Sequence, residues 1–346
     1  MAARPSARGA ATRADVARRA GVSASTVTYV LTGERPISAE TRERVQAAMA
    51  ELGYQPNALA SGLAGRRSRI LALLLPSGGR EVDNADLEYV VAAADEARGL
   101  GYHLMLWTTD GDDIQEAVRL ARTGLVDGLL LMEVTLHDER VKLLSDTGVP
   151  VALIGRTADP DAVPYADADA EQMGAMAVDH LADLGHRRLA YLDEPEAAGR
   201  RGLGYSSRLT DAVRKRCAER GLSLTVAATE HSQAAGREAF TRVYRGRHKI
   251  TGVISANWRA VLGLVHEVTD HGLTIPGDLS VVSITSWDQH AQLTTPELTT
   301  ISQPARDIGR AAALGLIRRL EGDGAPEHHL FPGRIDLRGS TAPPPS

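Results

Sequence analysis

At 346 residues, 43% of them apolar and 24% charged, the chain has the composition of a water-soluble protein with room for two or three domains. A single cysteine, Cys217, excludes a disulfide framework and a multi-cysteine metal site; there is no apolar export segment and no apolar run of membrane-spanning length, so a cytoplasmic protein without a membrane partner is expected. The net charge of −5 is unevenly spread: residues 1–69 carry eleven arginines against five acids, net +6, while the rest carries 28 bases against 39 acids, net −11. A basic head on an acidic body fits a small module that meets a polyanion, attached to a larger sensing domain.

In chain order, MAARPSARGA opens an extension over residues 1–11 that is expected to be disordered. Thr12 and Asp15 have the spacing of a capping box, so a helix starts there and runs through Val16, Ala17 and Ala20. Gly21 supplies a tight turn, and Ser23 is placed to cap a second helix, SASTVTYVL. Ser38 can cap a third, in which Val45, Ala48, Met49 and Leu52 recur at i, i+3, i+4 and i+7. Val16, Val22, Val27 and Val30 fall where two crossed helices would share a core. Two short helices joined by a glycine turn and buttressed by a third form a helix-turn-helix module, whose second helix is the one that enters a DNA major groove.

Three ordered blocks carry a resemblance: DVARRAGVSASTV, then SAETRERV, then LGYQPNALA. Residues 12–63 resemble the lactose-repressor (LacI/GalR) family of bacterial transcription regulators. The resemblance implies a helix-turn-helix domain over 12–56, a hinge helix and linker over 57–69, and a homodimer on a pseudo-palindromic double-stranded DNA operator. Ala24, Ser25, Thr28 and Tyr29 are then the candidates for major-groove contact; Tyr29 stands where the family often has arginine. Thr12, Ser23, Thr26 and Asn57 are candidates for the phosphate backbone, with pure helix capping as the competing role for Ser23 and Thr26. Ala60 and Leu63 fall on the hinge segment that the family lays in the minor groove. Leu63 there is either an intercalating wedge or a packed linker residue.

After the basic link AGRRSR the pattern changes to ILALLL, a continuous apolar run typical of a strand covered on both faces. Strands are predicted at 70–75, 103–107, 128–132 and 150–154, with helices near 85–99, 112–124 and 138–147. A second series has strands near 189–192, 223–228, 251–256 and 280–284, with helices near 171–184, 205–220, 233–246 and 259–271. Such alternation gives an α/β body of two doubly wound parallel-sheet lobes, with a ligand site outside the carboxyl ends of the strands. The resemblance continues through LGHRRLAYL, TGVISAN, IPGDLSVVSI and PELTTISQP, which makes the body periplasmic-binding-protein-like over 70–340. It implies crossovers near 163, 294 and 325: lobe 1 over 70–163 and 295–325, lobe 2 over 164–294 and 326–340. The closing residues 341–346 are expected to be a disordered tail.

By the same resemblance a small-molecule effector, a sugar or related metabolite, occupies the inter-lobe cleft. Arg201 and Asn257 match polar effector contacts; Trp258 and Thr285 stand where the family commonly has aspartates. Trp258 either stacks on a ligand ring or fills the cleft as a core residue. Arg156 and Asp167 join these as candidates at predicted strand ends, with Asp169, Trp287 and Asp288 beside them. No cofactor or metal is expected, since the histidines are scattered and neither a P-loop nor a G-x-S-x-G elbow occurs. An enzyme is therefore disfavoured. An exported solute-binding protein with the same body would lack residues 12–63.

Overall fold

The computed structural model describes residues 11–32, 35–54, 67–76, 82, 84–109, 114–160, 163–193, 202–244, 249–285, 288–322 and 325–345. Two compact units make up the chain, Met1–Ser68 and Arg69–Ser346. Residues 1–10 of the expected extension, and the expected hinge with Asn57, Ala60 and Leu63, lie outside the described residues.

The first unit contains α1 (Arg13–Ala20), α2 (Ala24–Thr32) and α3 (Ala39–Leu52). Thr12 and Asp15 cap α1 reciprocally: the Thr12 hydroxyl oxygen accepts from Asp15 N at 3.3 Å, and Asp15 Oδ2 accepts from Thr12 N at 3.0 Å. Gly21 ends the helix at φ 68°, a left-handed conformation that costs a residue with a β-carbon roughly 1–2 kcal/mol. The Ser23 and Ser38 hydroxyls accept from Thr26 N at 3.0 Å and Thr41 N at 3.3 Å, so both serines cap the helices that follow. Val16, Val27 and Val45 are fully buried, with Ala17, Ala20 and Ala48 beside them and Val22, Val30 and Met49 around the rim. Burying each valine is worth about 1.5–3 kcal/mol, and so few apolar side chains must hold the unit together.

In the second unit one lobe is built on β1 (Ile70–Pro76), β2 (His103–Thr109), β3 (Gly128–Leu131), β4 (Val151–Ile154), β5 (Tyr165–Ala168) and β11 (His328–Phe331). These strands form a parallel sheet in the order β11-β5-β4-β3-β1-β2. The apolar run of β1 is covered on both faces. Leu71, Leu73 and Leu75 pack with α4 (Asn84–Gly99) and α11 (Ala305–Glu321), while Ala72 and Leu74 pack with α5 (Ile114–Arg122) and α6 (Glu139–Ser145). On α11, a β-carbon at Gly309 would stand 2.4 Å from the Tyr89 carbonyl oxygen, so glycine is what lets α11 close on α4.

The other lobe is built on β6 (Arg188–Asp193), β7 (Ser223–Ala228), β8 (Gly252–Ser255), β9 (Ser280–Thr285), β10 (Thr299–Ser302) and β12 (Arg334–Asp336), in the order β12-β10-β9-β8-β6-β7. Its helices are α7 (Ala170–Asp183), α8 (Gly204–Glu219), α9 (Gln233–Tyr244) and α10 (Trp258–Asp270). The sheet is parallel as expected except at its edge, where β12 runs antiparallel to β10.

The crossovers also differ from those expected near 163, 294 and 325. They fall between Ala168 and Ala170, between Ser302 and Ala305, and between Phe331 and Arg334. Lobe 1 therefore keeps β5 and β11, and lobe 2 keeps β10. Each of these strands is only four residues long, and Asp167, Thr299, Thr300, His328 and His329 interrupt the apolar signal that marks a strand.

The tail expected to be disordered is anchored as far as the structure describes it. Ala342 O accepts from the Ser280 hydroxyl at 3.0 Å and lies 2.9 Å from Nε2 of the buried His186. Ala342 N donates back to Ser280 Oγ at 3.1 Å, and Thr341 Oγ1 meets His180 Nε2 at 3.0 Å. Composition marked this segment as loose, but the prolines after Ala342 have no N–H to satisfy, and the Thr341 hydroxyl and the Ala342 amide and carbonyl find partners on lobe 2.

Candidate functional site

On α2 the buried Val27 fixes which side faces the core, which leaves Ala24 and Ser25 exposed and Thr28 and Tyr29 half-buried. The Thr28 hydroxyl donates to Ala24 O at 2.9 Å and accepts from Arg13 Nη1 at 3.2 Å. Ser23 Oγ lies 2.7 Å from Ser25 Oγ and 2.8 Å from Thr26 Oγ1, so these hydroxyls form a chain at the helix start. The Arg35 guanidinium stands 5.2 Å from the centre of the Tyr29 ring. Arg35 is exposed and went unnoticed in the sequence; a lone arginine just past the end of the second helix was the available signal.

The strands of both lobes end on a common cleft with an open volume of about 190 Å³. Lobe 1 contributes Asp86 and Tyr89 of α4, Glu133 after β3, and Asp167 of β5. Tyr205 and Ser206 of α8, His231, Trp258 and His290 come from the other side. Glu133 holds φ at 51°, a left-handed backbone that non-glycine residues adopt sparingly. Arg140 pins that turn by donating to the Met132 and Glu133 carbonyls at 3.2 and 2.9 Å while it pairs with Asp138 at 2.6 Å.

Asp167 is the one deeply buried acid of the described lining, at 5% exposure. Its Oδ1 accepts from Ala168 N at 2.9 Å; its Oδ2 faces Arg156 Nε at 3.3 Å but is hydrogen-bonded to nothing. Burial pushes its pKa up to about 7, against the opposing pull of Arg156 and then Arg208. The Tyr89 hydroxyl is likewise pushed well above the usual phenol range, first by desolvation and then by Tyr205, Asp167 and Asp86.

Behind this wall a charged network ties the lobes together. Arg208 of α8 donates to the carbonyls of Arg156 and Thr157 at 3.0 and 2.6 Å. Arg156 Nη2 reaches both carboxylate oxygens of Glu171 on α7, at 2.8 and 2.7 Å. A β-carbon at Gly204 would stand 2.5 Å from the Arg156 carbonyl, so only glycine lets α8 start against lobe 1.

The profile of the family "Bacterial regulatory proteins, lacI family" matches residues 12–57, and that of the "Periplasmic binding protein-like domain" matches residues 178–341. Over 338 residues the chain is 30% identical to the HTH-type transcriptional regulator AglR of Rhizobium meliloti, covering 94% of this chain and 92% of AglR. The chain belongs to the LacI family of transcriptional regulators. Catabolite control protein A of Priestia megaterium is 29% identical over 342 residues, covering 94% of this chain and 98% of that protein. A structure of the lac repressor dimer bound to operator and the anti-inducer ONPF superposes with a TM-score of 0.81 at 25% identity, covering 96% of this chain and 99% of that one.

Not every residue predicted for the cleft of this LacI-family regulator reaches its wall. Asn257 is fully buried and serves as the N-cap of α10: its Oδ1 accepts from Ala260 N at 3.1 Å, and its amide group donates to the carbonyls of Thr229 and Glu230. With both amide protons engaged it has no donor left for an effector, and the predicted contact is corrected to a structural cap. Arg156 is also corrected, since it stands behind Asp167 and outside the described lining. Asp169 caps α7 by accepting from Gln172 N. Arg201 and Trp287 lie outside the described residues, as do the side chains of Thr285 and Asp288.

Trp258 lies in the wall, stacked on His290 at 4.1 Å and 14°, with the Arg259 guanidinium 5.0 Å from its ring centre. What it offers an occupant is therefore its edge, for the indole Nε1–H is buried without an acceptor. Asp86, Tyr89, Glu133, Tyr205, Ser206, His231 and His290 were missed. Glu133, His231 and His290 lie within a few residues of strand ends, which was their only clue, whereas Asp86, Tyr89, Tyr205 and Ser206 lie on the helices that come after them. Among the described residues no helix is long and apolar enough to cross a membrane.

Proposed function

We propose that this regulator is a cytoplasmic repressor that binds a pseudo-palindromic operator as a homodimer and responds to a sugar or related metabolite in its inter-lobe cleft. Ala24 and Ser25 read base edges from α2, with Thr28 and Tyr29 beside them. Ala24 suits a thymine methyl, and the Ser25 hydroxyl can donate or accept. Thr12, Ser23 and Thr26 position the phosphate backbone, as does Asn57; Ala60 and Leu63 enter the minor groove. The observation that carries this reading is the exposed Ala24–Ser25 face on a capped helix whose opposite side holds the core through Val27. The lac repressor structure, a dimer on operator DNA, supports the partner and the symmetry.

Signal transfer follows from the cleft. An occupant that touches Asp167 on one lobe and Trp258 on the other favours one lobe angle, and only such differential affinity can shift DNA binding. Selection of bound duplexes from a random pool tests the reading. It predicts a two-fold symmetric consensus whose affinity falls steeply with salt; sequence-blind binding contradicts it.

A further inference from the structure

Two polar atoms on opposite sides of the cleft are buried without hydrogen-bond partners: Asp167 Oδ2 on β5 of lobe 1, and Trp258 Nε1 on α10 of lobe 2. One is an acceptor and the other a donor. Leaving such groups unpaired is costly, more so for a charged group, and a ligand that satisfies both gains from each. The occupant thus presents a donor to lobe 1 and an acceptor to lobe 2.

The charge of the site selects the donor. Among the described residues the lining includes the carboxylates of Asp86, Glu133 and Asp167 and no lysine or arginine. Arg156 and Arg208 stand behind Asp167, but each is shared with Glu171, at 2.7 and 3.8 Å. Arg156 and Arg208 are thus matched by Asp167 and Glu171, and Asp86 and Glu133 add two further carboxylates to the described lining. Arg156 Nε, 3.3 Å from Oδ2, makes no hydrogen bond to it, so the cation already present is misaimed. An ammonium group at Oδ2 supplies the missing donor, aligned and of opposite charge to the carboxylate. A phosphate or carboxylate in the same place would stand directly against the Asp167 carboxylate.

We propose that Asp167 is the specificity-determining anchor for a cationic effector, an amine-bearing sugar whose ammonium group meets Oδ2 while a hydroxyl or ring oxygen accepts from Trp258 Nε1. This inference rests on the cleft being the effector site and adds the charge of its ligand. Four groups face Asp167 and set its titration: Arg156 after β4, Arg208 on α8, Glu171 on α7 and Tyr89 on α4. With a pKa of about 7, the carboxyl gives up its proton when a cation arrives.

Calorimetric titration of the full chain with D-glucosamine against D-glucose, and D-galactosamine against D-galactose, tests the proposal. The amine of at least one pair binds wild type tenfold or more tighter than its neutral counterpart, and in Asp167→Asn the ratio falls to within about twofold. A second measurement needs no variant. In buffers of different ionisation enthalpy at pH 6.5, the amine sugar releases a fraction of a proton per site from wild type. The proposal is overturned if neither amine is preferred, if the preference survives in Asp167→Asn, or if no proton is released. A neutral sugar that binds wild type and variant alike and still shifts operator affinity removes the charge assignment and leaves the sensing function intact.

Discussion

Replacing Arg208 by methionine keeps the aliphatic stem and removes the guanidinium that joins the lobes. Two charge-assisted hydrogen bonds are lost, to the carbonyls of Arg156 at 3.0 Å and Thr157 at 2.6 Å, from a side chain only 12% exposed. Such bonds are worth about 1.5–3 kcal/mol apiece, and water entering the opened seam restores part of that; the expected net cost is about 2–4 kcal/mol. It falls on the arrangement in which α8 touches lobe 1. For a unit of this size each kcal/mol moves the melting temperature by about 2–4 °C, so the second unit should melt about 4–16 °C lower. Calorimetry reads the shift, and small-angle scattering reads the wider separation of the lobes. A variant that melts within about 1 °C of wild type with the same scattering profile refutes the claim that Arg208 couples the lobes. Glu171→Gln is the internal contrast: Glu171 is half exposed, and its loss should cost less than about 1 kcal/mol.

Val27→Ala removes buried volume from the small core of the first unit and should cost about 1–3 kcal/mol there, so operator binding falls while the melting of the second unit stays put; equal melting of both transitions in wild type and variant would speak against this. Asp15 has its pKa held below the ordinary carboxylate value by the Thr12 hydroxyl and backbone hydrogen bonds, then by Arg18. A depressed carboxylate stabilises the fold above its unfolded pKa and loses that contribution as pH drops through the folded value, so the first unit should weaken below about pH 4. Thr12→Ala flattens that dependence, and an unchanged acid limb in circular dichroism would rule the cap out as its source. Leu63→Ala should weaken specific DNA binding far more than nonspecific binding, whereas equal losses remove the minor-groove wedge.

The first unit was legible from sequence because its signals are local. Thr12, Ser23 and Ser38 announce helix starts within a few residues of themselves, and the valine spacing fixes the buried side. The long strands β1 and β6 were legible for a similar reason, since an apolar run needs no partner to be recognised. What escaped depends on distant parts of the chain. Strand β5 reads YADA, and only β4 and β11 on either side make it a strand. Asn257 looked like a ligand contact until Thr229 and Glu230 supplied its partners from 28 and 27 residues upstream. Asp86 and His290 share a cleft although about two hundred residues separate them. Polar side chains at strand ends carry no mark of whether they cap a helix or face a cavity.

The account stands on α2 being the element that reads sequence, and Ser25→Arg tests it most directly, because Ser25 is exposed and supports no core. Repeating the duplex selection with this variant should yield a consensus altered at symmetry-related positions in both half-sites, with guanine favoured where the new guanidinium reaches a base edge. An unchanged consensus at undiminished affinity would show that bases are read elsewhere.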